Sequence, residues 1–154
     1  MKQDLWHVRL SASHPEYQQV SFRRPEAHEN YQVVVVDAKK LIHYSDRDIP
    51  GYVVGPVERW DAEKRKGIAA FLAPPTQTQR HVEMPIVSFN ESLRTHRKRY
   101  LWLFTKTESE IVRYVSYTNG RHRTRYLIYA GATEIPVLCH NDHVAALRKH
   151  CSAA

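Results

Sequence analysis

One stretch, residues 111–138, constrains the fold of this chain more than any other. Residues 111–117 are rich in β-branched and aromatic side chains, which favour a strand, and Asn119-Gly120 follows as a tight turn. An apolar stripe then predicts a short helix that Gly131 can end. Residues 135–138 are typical of a buried strand. The expected order is therefore strand, turn, helix, strand, which requires a fold that mixes α and β structure.

The turn in this stretch carries the residues best suited to bind a ligand. Gly120 lets a ligand approach the backbone closely, and the first amides of the following helix have no intrahelical partner. These features favour a phosphate- or nucleotide-binding cradle formed by Asn119, Gly120, Arg121, His122 and Arg123. The alternative is a surface turn that leads into a basic helix.

The run Tyr117-Thr-Asn-Gly-Arg-His-Arg123, with its flanking strand, helix and Ile-Pro-Val, resembles the signature of the ParB/sulfiredoxin-like fold. In those proteins the matching turn binds nucleotide or phosphate. Together with Glu83-Met-Pro-Ile-Val-Ser-Phe89 and the opening Leu5-Trp6-x-Val8-x-Leu10, it looks most like the plasmid fertility inhibition factor family. The resemblance is dense from about residue 82 to residue 137.

This resemblance implies an α+β fold with a mixed central sheet, a few short helices and an inserted β-hairpin. We expect a single domain over residues 1–154, with the signature core at about 82–138 and the hairpin insertion at about 90–110. The length of 154 residues suits one domain with a sizeable core.

The function implied by the resemblance is to block conjugative transfer of a co-resident plasmid. The implied partner is the coupling ATPase of the conjugation, or type IV secretion, machinery, or the transferred single-stranded or plasmid DNA itself. The alternative, from a different class, is a ParB-like nucleotide-dependent nuclease or DNA-binding protein. The oligomeric state is left open.

Enzyme activity is less expected than binding. Sulfiredoxin-like enzymes carry a cysteine in the turn where this chain has Arg121, which argues against reductase chemistry. His122 is the candidate catalytic residue, as a base, but no cluster of carboxylates accompanies it for metal-assisted hydrolysis. If the protein is an enzyme, a weak nuclease or NTPase is expected. The only cofactor that the pattern suggests is a nucleotide or phosphate.

The inserted stretch combines basic and aromatic side chains. The chain has 23 Lys and Arg against 16 Asp and Glu, a net charge of +7, and most of this surplus lies between residues 81 and 125. Such a pattern suits single-stranded nucleic acid or an acidic protein partner, and it also suits an ordinary protected sheet edge. The candidate partner- or nucleic-acid-binding residues are Arg94, Arg97, Lys98, Arg99, Tyr100 and Trp102. Residues 99–106 are expected to form a strand, and residues 107–110 the hairpin turn.

The remaining elements follow from periodicity. Strands are expected at residues 5–10, 20–23 and 31–37, and the four consecutive valines of the last one indicate a strand buried on both faces. A helix is expected from Asp61 to about residue 72. Val144, Leu147 and Cys151 indicate a C-terminal helix, capped by Asn141 or Asp142.

The two cysteines are far apart in a sequence that lacks a charged n-region followed by an apolar h-region, so free thiols and a cytoplasmic location are expected. No apolar run approaches the ~20 residues that cross a bilayer, so membrane insertion is not expected. The residues Cys139, His140, His143, His150 and Cys151 include zinc-ligand types, but they lack Cys-x-x-Cys spacing. No metal site is therefore expected.

Overall fold

The computed structural model describes residues 4–102 and 104–153. Its strands are β1 (Leu5–Arg9), β2 (Gln19–Arg23), β3 (Tyr31–Asp37), β4 (Val82–Glu83), β5 (Ile86–Tyr100), β6 (Phe104–Asn119) and β7 (Glu134–His140). Its helices are α1 (Ala38–Ser45), α2 (Ala62–Leu72), α3 (Arg121–Tyr129) and α4 (Asn141–Cys151). Two short 3₁₀ turns, Pro50–Tyr52 and Val57–Arg59, lie between α1 and α2.

The strands form two sheets, both of mixed direction. The first has the order β1-β2-β4 and the second β3-β7-β5-β6. In the second sheet β7 pairs antiparallel with β3 along seven residues, but parallel with β5 only at Ile86 and Val87. Beyond Val87, strands β5 and β6 pair only with each other among the described residues. The mixed α+β class with an extended β-hairpin is confirmed, and the ParB/sulfiredoxin-like label stays a prediction.

The apolar core joins both sheets to the helices. Phe22 of β2 and Leu138 of β7 are fully buried in the same cluster of side chains. The expected face of α4 is confirmed, because Val144, Leu147 and Cys151 are all buried. Its cap differs from the expected Asn141 or Asp142.

His140 is the residue that caps α4. Its ring nitrogen Nδ1 accepts a hydrogen bond from the Asp142 amide at 3.2 Å. The sequence pointed to Asn or Asp instead, because these are the usual N-caps. The helix therefore begins one residue after a histidine that ends β7.

Strand β3 is not buried on both faces, as its four valines had suggested. Val34 and Val36 are buried, whereas Val35 is 42% exposed. The reason is that only one face of β3 meets the core, so its side chains alternate between buried and exposed, as is usual for an antiparallel strand.

Helix α1 was not expected from the sequence. Asp37 ends β3 and caps the helix by accepting a hydrogen bond from the Lys40 amide at 2.9 Å. Leu41 and Ala38 are buried on its inner face. The helix spans eight residues, so its apolar stripe is too short to stand out in the sequence.

The hairpin turn lies closer to the N-terminus than expected. Residues 107–110 are inside β6, and the chain reverses between Tyr100 and Phe104, which face each other across the hairpin. The acidic residues that suggested a turn instead pair across the strands. Glu108 contacts Lys98 at 3.0 Å, and Glu110 contacts His96 at 3.0 Å. These cross-strand contacts stabilise a strand that its own composition disfavours.

No helix in the described ranges is long and apolar enough to cross a membrane.

Candidate functional site

The signature turn joins the end of β6 to α3, as expected. Gly120 adopts φ of 93°, a left-handed conformation, and a Cβ built there would lie 2.9 Å from the Pro85 Cα. The Thr124 amide and hydroxyl both donate to the Gly120 carbonyl, at 3.0 and 2.9 Å. Gly120 has no side chain to cap the helix, so the first amides of α3 are left to other acceptors.

The turn opens onto a cleft of about 1090 Å³. Besides residues 118–123, its walls come from β2, β4, the second half of α2 and the segment that follows α2. All five residues of the expected cradle line this cleft: Asn119, Gly120, Arg121, His122 and Arg123. The charged side chains on its walls are four arginines and one glutamate: Arg23, Arg80, Arg121, Arg123 and Glu83. The cleft is therefore electropositive.

Protein groups contact all four of these arginines. The contacts of Arg80 with Glu26, at 3.6 Å, and of Arg121 with the Tyr52 carbonyl, at 3.5 Å, are long. Arg23 and Arg123 are held more closely. Arg23 forms an ion pair with Glu83 at 2.5 Å, and its Nε donates to the His81 carbonyl at 2.9 Å. Arg123 is 7% exposed, donates to the Glu83 carbonyl and lies 5.7 Å from the Phe71 ring centre. Burial lowers the pKa of Arg123, and the nearby Glu83 partly offsets this. Arg123 thus braces the turn against β4.

The remaining titratable side chains of the cradle, Arg121 and His122, lie towards the 3₁₀ turns. The Arg121 guanidinium is 5.2 Å from the ring centre of Tyr52, and the His122 ring lies edge-on to Trp60 at 5.8 Å. Burial lowers the pKa of His122 below its ordinary value, and the nearby cations Lys64 and Arg121 lower it further. The imidazole is therefore neutral at neutral pH, with one ring nitrogen as a donor and the other as an acceptor.

The cleft is better suited to binding an anion than to hydrolysing one. Glu83 is the one carboxylate among its described lining residues, and Arg23 already neutralises it. Metal-assisted phosphate hydrolysis usually needs several converging carboxylates. His122 lies in the cleft wall with the Trp60 ring beside it. Among the described residues, no carboxylate contacts its imidazole to orient it as a base.

The second candidate region, the hairpin, projects away from the core. Phe104 lies eight residues before Val112, the most distal buried residue of β6, which corresponds to about 27 Å of strand. At its end four large apolar side chains are exposed to solvent: Tyr100 (47%), Leu101 (80%), Trp102 (80%) and Phe104 (68%). We call these four residues the apolar tip.

The six candidate hairpin residues differ in their surroundings. Arg94 donates to the Arg47 carbonyl and lies 5.2 Å from the Tyr114 ring centre, so it anchors the base of the hairpin. Lys98 and the Tyr100 hydroxyl both contact Glu108, at 3.0 and 2.8 Å. A further pair, Arg97 and Arg99, makes no side-chain hydrogen bond or ion pair with any described residue. Trp102 is exposed at the tip.

The two cysteines are free thiols, and both are fully buried. Burial raises the pKa of Cys139 to about 11 and that of Cys151 to about 12. Both are therefore protonated and unreactive at neutral pH. Neither lines the cleft.

Sequence reasoning missed part of the cleft wall. Arg23 and Phe71 lie about 50 residues apart and some 50 to 100 residues before the signature turn, and only the folded chain brings them together. Phe71 is apolar and lies near the end of α2, where a side chain of this type is expected to face the core, yet it is 55% exposed at the cleft. The signal in the sequence is that Phe71 and Leu72 are adjacent apolar residues of one helix, and only Leu72 is buried. Two neighbouring helix positions point in different directions, so one of them could have been expected to face another surface.

Comparisons with known proteins agree with this architecture. The family model for the plasmid fertility inhibition factor matches residues 33–152, a range that includes both the signature turn and the hairpin. The crystal structure of Oncogenic Suppression Activity Protein, a plasmid fertility inhibition factor, as its gold(I) cyanide derivative, is similar with a TM-score of 0.63. The two are 16% identical over 100% of this chain and 72% of that chain, a likeness that concerns the fold alone. No curated protein sequence matches the chain.

Proposed function

Because the chain belongs to the plasmid fertility inhibition factor family, we propose that it suppresses conjugative transfer of a co-resident plasmid. The mechanism we propose is binding to the coupling ATPase of the type IV secretion machinery, which the protein reaches from the cytoplasm. The observation that carries the choice of a binding mechanism is the projecting hairpin.

The hairpin has the features of a protein-recognition element. Trp and Arg are the residues that most often dominate binding energy in interfaces, and Arg97, Arg99 and Trp102 are all exposed there. The two arginines contribute little to the stability of the free protein, because solvent-exposed charges are worth little to folding. Positive charge on the hairpin also speeds encounter with an acidic surface.

A mating assay tests this proposal. The double variant Arg97→Ser/Arg99→Ser should restore plasmid transfer while leaving the melting temperature nearly unchanged. Arg94 is kept, because it anchors the hairpin base. The control is Lys39→Ser/Lys66→Ser, which removes the same charge from exposed positions of α1 and α2 and should inhibit as the wild type does.

A pull-down from cells that carry a conjugative plasmid identifies the target. We expect the wild type and the control variant to recover the coupling ATPase, and the hairpin variant to recover much less. Inhibition by the hairpin variant at wild-type level and equal abundance would place recognition elsewhere. Recovery of nuclease-sensitive DNA without the ATPase would replace the protein target with DNA.

We also propose that the cleft binds a phosphate group, alone or as part of a nucleotide. The uncapped amides at the start of α3 and the excess of arginine in the walls support this second role. A ParB-like action on DNA would use the same cleft. Titration with inorganic phosphate should shift the amide resonances of residues 120–123, and Arg121→Ser should weaken the shift. Unmoved resonances would leave the turn a purely structural feature.

A further inference from the structure

We propose that the apolar tip of the hairpin inserts into the interface of an anionic lipid bilayer. Membrane insertion was not expected from the sequence, because no segment is long enough to span a bilayer. Interfacial insertion needs no spanning segment, because its strength scales with the apolar area buried and with the attraction between cations and anionic lipids. This inference does not rest on the proposed binding of a coupling ATPase. It assigns Trp102 to a bilayer, whereas that proposal assigns it to a protein surface, and the vesicle test below separates the two.

The layering of side chains along the hairpin carries the proposal. The apolar tip occupies the very end, and the cations Arg97, Lys98, Arg99 and Lys106 lie directly behind it. Trp and Tyr favour the boundary between lipid headgroups and acyl chains, and Lys or Arg behind them contacts anionic headgroups. A hairpin that meets a flat bilayer end-on presents these groups at the two depths that suit them.

Two features of the hairpin are unfavourable in the free protein, and the first is a pair of like charges. Lys98 and Lys106 face each other directly across the strands, a like-charge arrangement that destabilises a hairpin. Glu108, within 3.0 Å of Lys98, offsets part of this repulsion. Anionic headgroups would neutralise both lysines.

The second unfavourable feature is the backbone at the tip. Leu101 has φ of 40°, in the left-handed region, where Asn or Gly is more comfortable. Placing an aliphatic residue there costs conformational energy and exposes 80% of its surface to water. Both costs are offset if the side chain enters a bilayer.

The order of apolar and basic side chains along the hairpin also favours a bilayer over a nucleic acid as the partner. A single-stranded nucleic-acid surface would interleave cations and rings along one face to follow several nucleotides. Here the apolar side chains are gathered at the end and include an aliphatic one. A protein pocket with an acidic rim is a different explanation, and vesicle binding distinguishes the two.

The test is co-sedimentation of the purified full chain with vesicles of phosphatidylcholine and phosphatidylglycerol in equal amounts, and with vesicles of phosphatidylcholine alone. We expect binding to the anionic vesicles and much less to the neutral ones. Trp102→Ser should weaken binding about tenfold or more, because a buried aromatic side chain is lost. The triple change Arg97→Ser/Arg99→Ser/Lys106→Ser should weaken it about 100-fold, since each cation contributes about fivefold.

The controls keep the tip and change other exposed positions. Ile49→Ser removes an apolar side chain that is 55% exposed, and Lys39→Ser/Lys66→Ser/Lys149→Ser removes three exposed cations. Both should bind as the wild type does. Leu101→Asn relieves the backbone, so it should leave folding intact or improve it, yet it should still weaken vesicle binding.

Two results would overturn the proposal. The first is failure of the wild type to bind the anionic vesicles; if Trp102→Ser then also loses plasmid inhibition, the tip is assigned to a protein pocket. The second is equal loss of binding in the tip variants and their controls.

Discussion

Replacing Gly120 with alanine should destabilise the signature turn by an amount that follows from its geometry. The left-handed conformation costs a residue with a Cβ about 1–2 kcal/mol. The new Cβ would also lie 2.9 Å from both the Cα and the Cβ of Pro85, and the backbone there cannot move aside cheaply. Overpacking of this kind costs about 1–3 kcal/mol. The free energy of unfolding should therefore fall by about 2–5 kcal/mol.

Urea denaturation measures this loss, and Gly67→Ala is the matched control. Gly67 lies inside α2, and a methyl group added there would meet nothing within 4 Å, so alanine should raise the free energy of unfolding by about 0.5–1 kcal/mol. For a chain of this size the Gly120 variant should melt roughly 5–15 °C lower. A loss under about 1 kcal/mol in the Gly120 variant would refute the argument, because neither the conformation nor the contact with Pro85 would then constrain the turn.

Three further outcomes are expected from buried groups. Cys139 and Cys151, with raised pKa values, should not react with a thiol reagent at neutral pH until the protein is unfolded, and fast reaction of the native protein would contradict their burial. The pKa of His122, followed by NMR, should lie below the ordinary value for histidine. His122 then contributes stability at pH values above the ordinary pKa, and this stability is lost as the pH falls through the pKa of the folded state. A titration midpoint at or above the ordinary value would contradict this expectation. Asp46→Ala should cost about 1–3 kcal/mol, because it leaves the mostly buried Arg125 without its ion-pair partner. Adding Arg125→Met should recover part of that loss, and no recovery in the double variant would contradict this explanation.

The parts of the fold that depend on neighbouring residues were predictable from the sequence. The signature turn is an example, because a glycine after a β-branched strand and before an apolar stripe specifies its own conformation. The face of α4 is another, since Val144, Leu147 and Cys151 repeat at helical spacing. In both cases the information lies in a short, continuous segment of the chain.

The parts that depend on distant pairing were not. The hairpin turn was misplaced because Glu108 and Glu110 look like turn residues until their partners Lys98 and His96 are known. The burial of β3 was overstated because the sequence of one strand does not indicate which of its faces other elements cover. The wall that Arg23 adds to the cleft depends on the parallel pairing of β2 with β4, which no local signal indicates.

Beyond Val87 the hairpin has only two strands, so its length can change without breaking other strand pairings among the described residues. No third strand pairs with this part of β5 or β6 among the described residues, so its length is not tied to the rest of the sheet. Removing two facing residues from each strand would shorten it by about 7 Å and leave every remaining side chain on its original face. Removing one from each strand would instead turn the distal side chains over. The distance between the cleft and the apolar tip can thus change in steps of two residues per strand, while the side chains at both ends keep their faces.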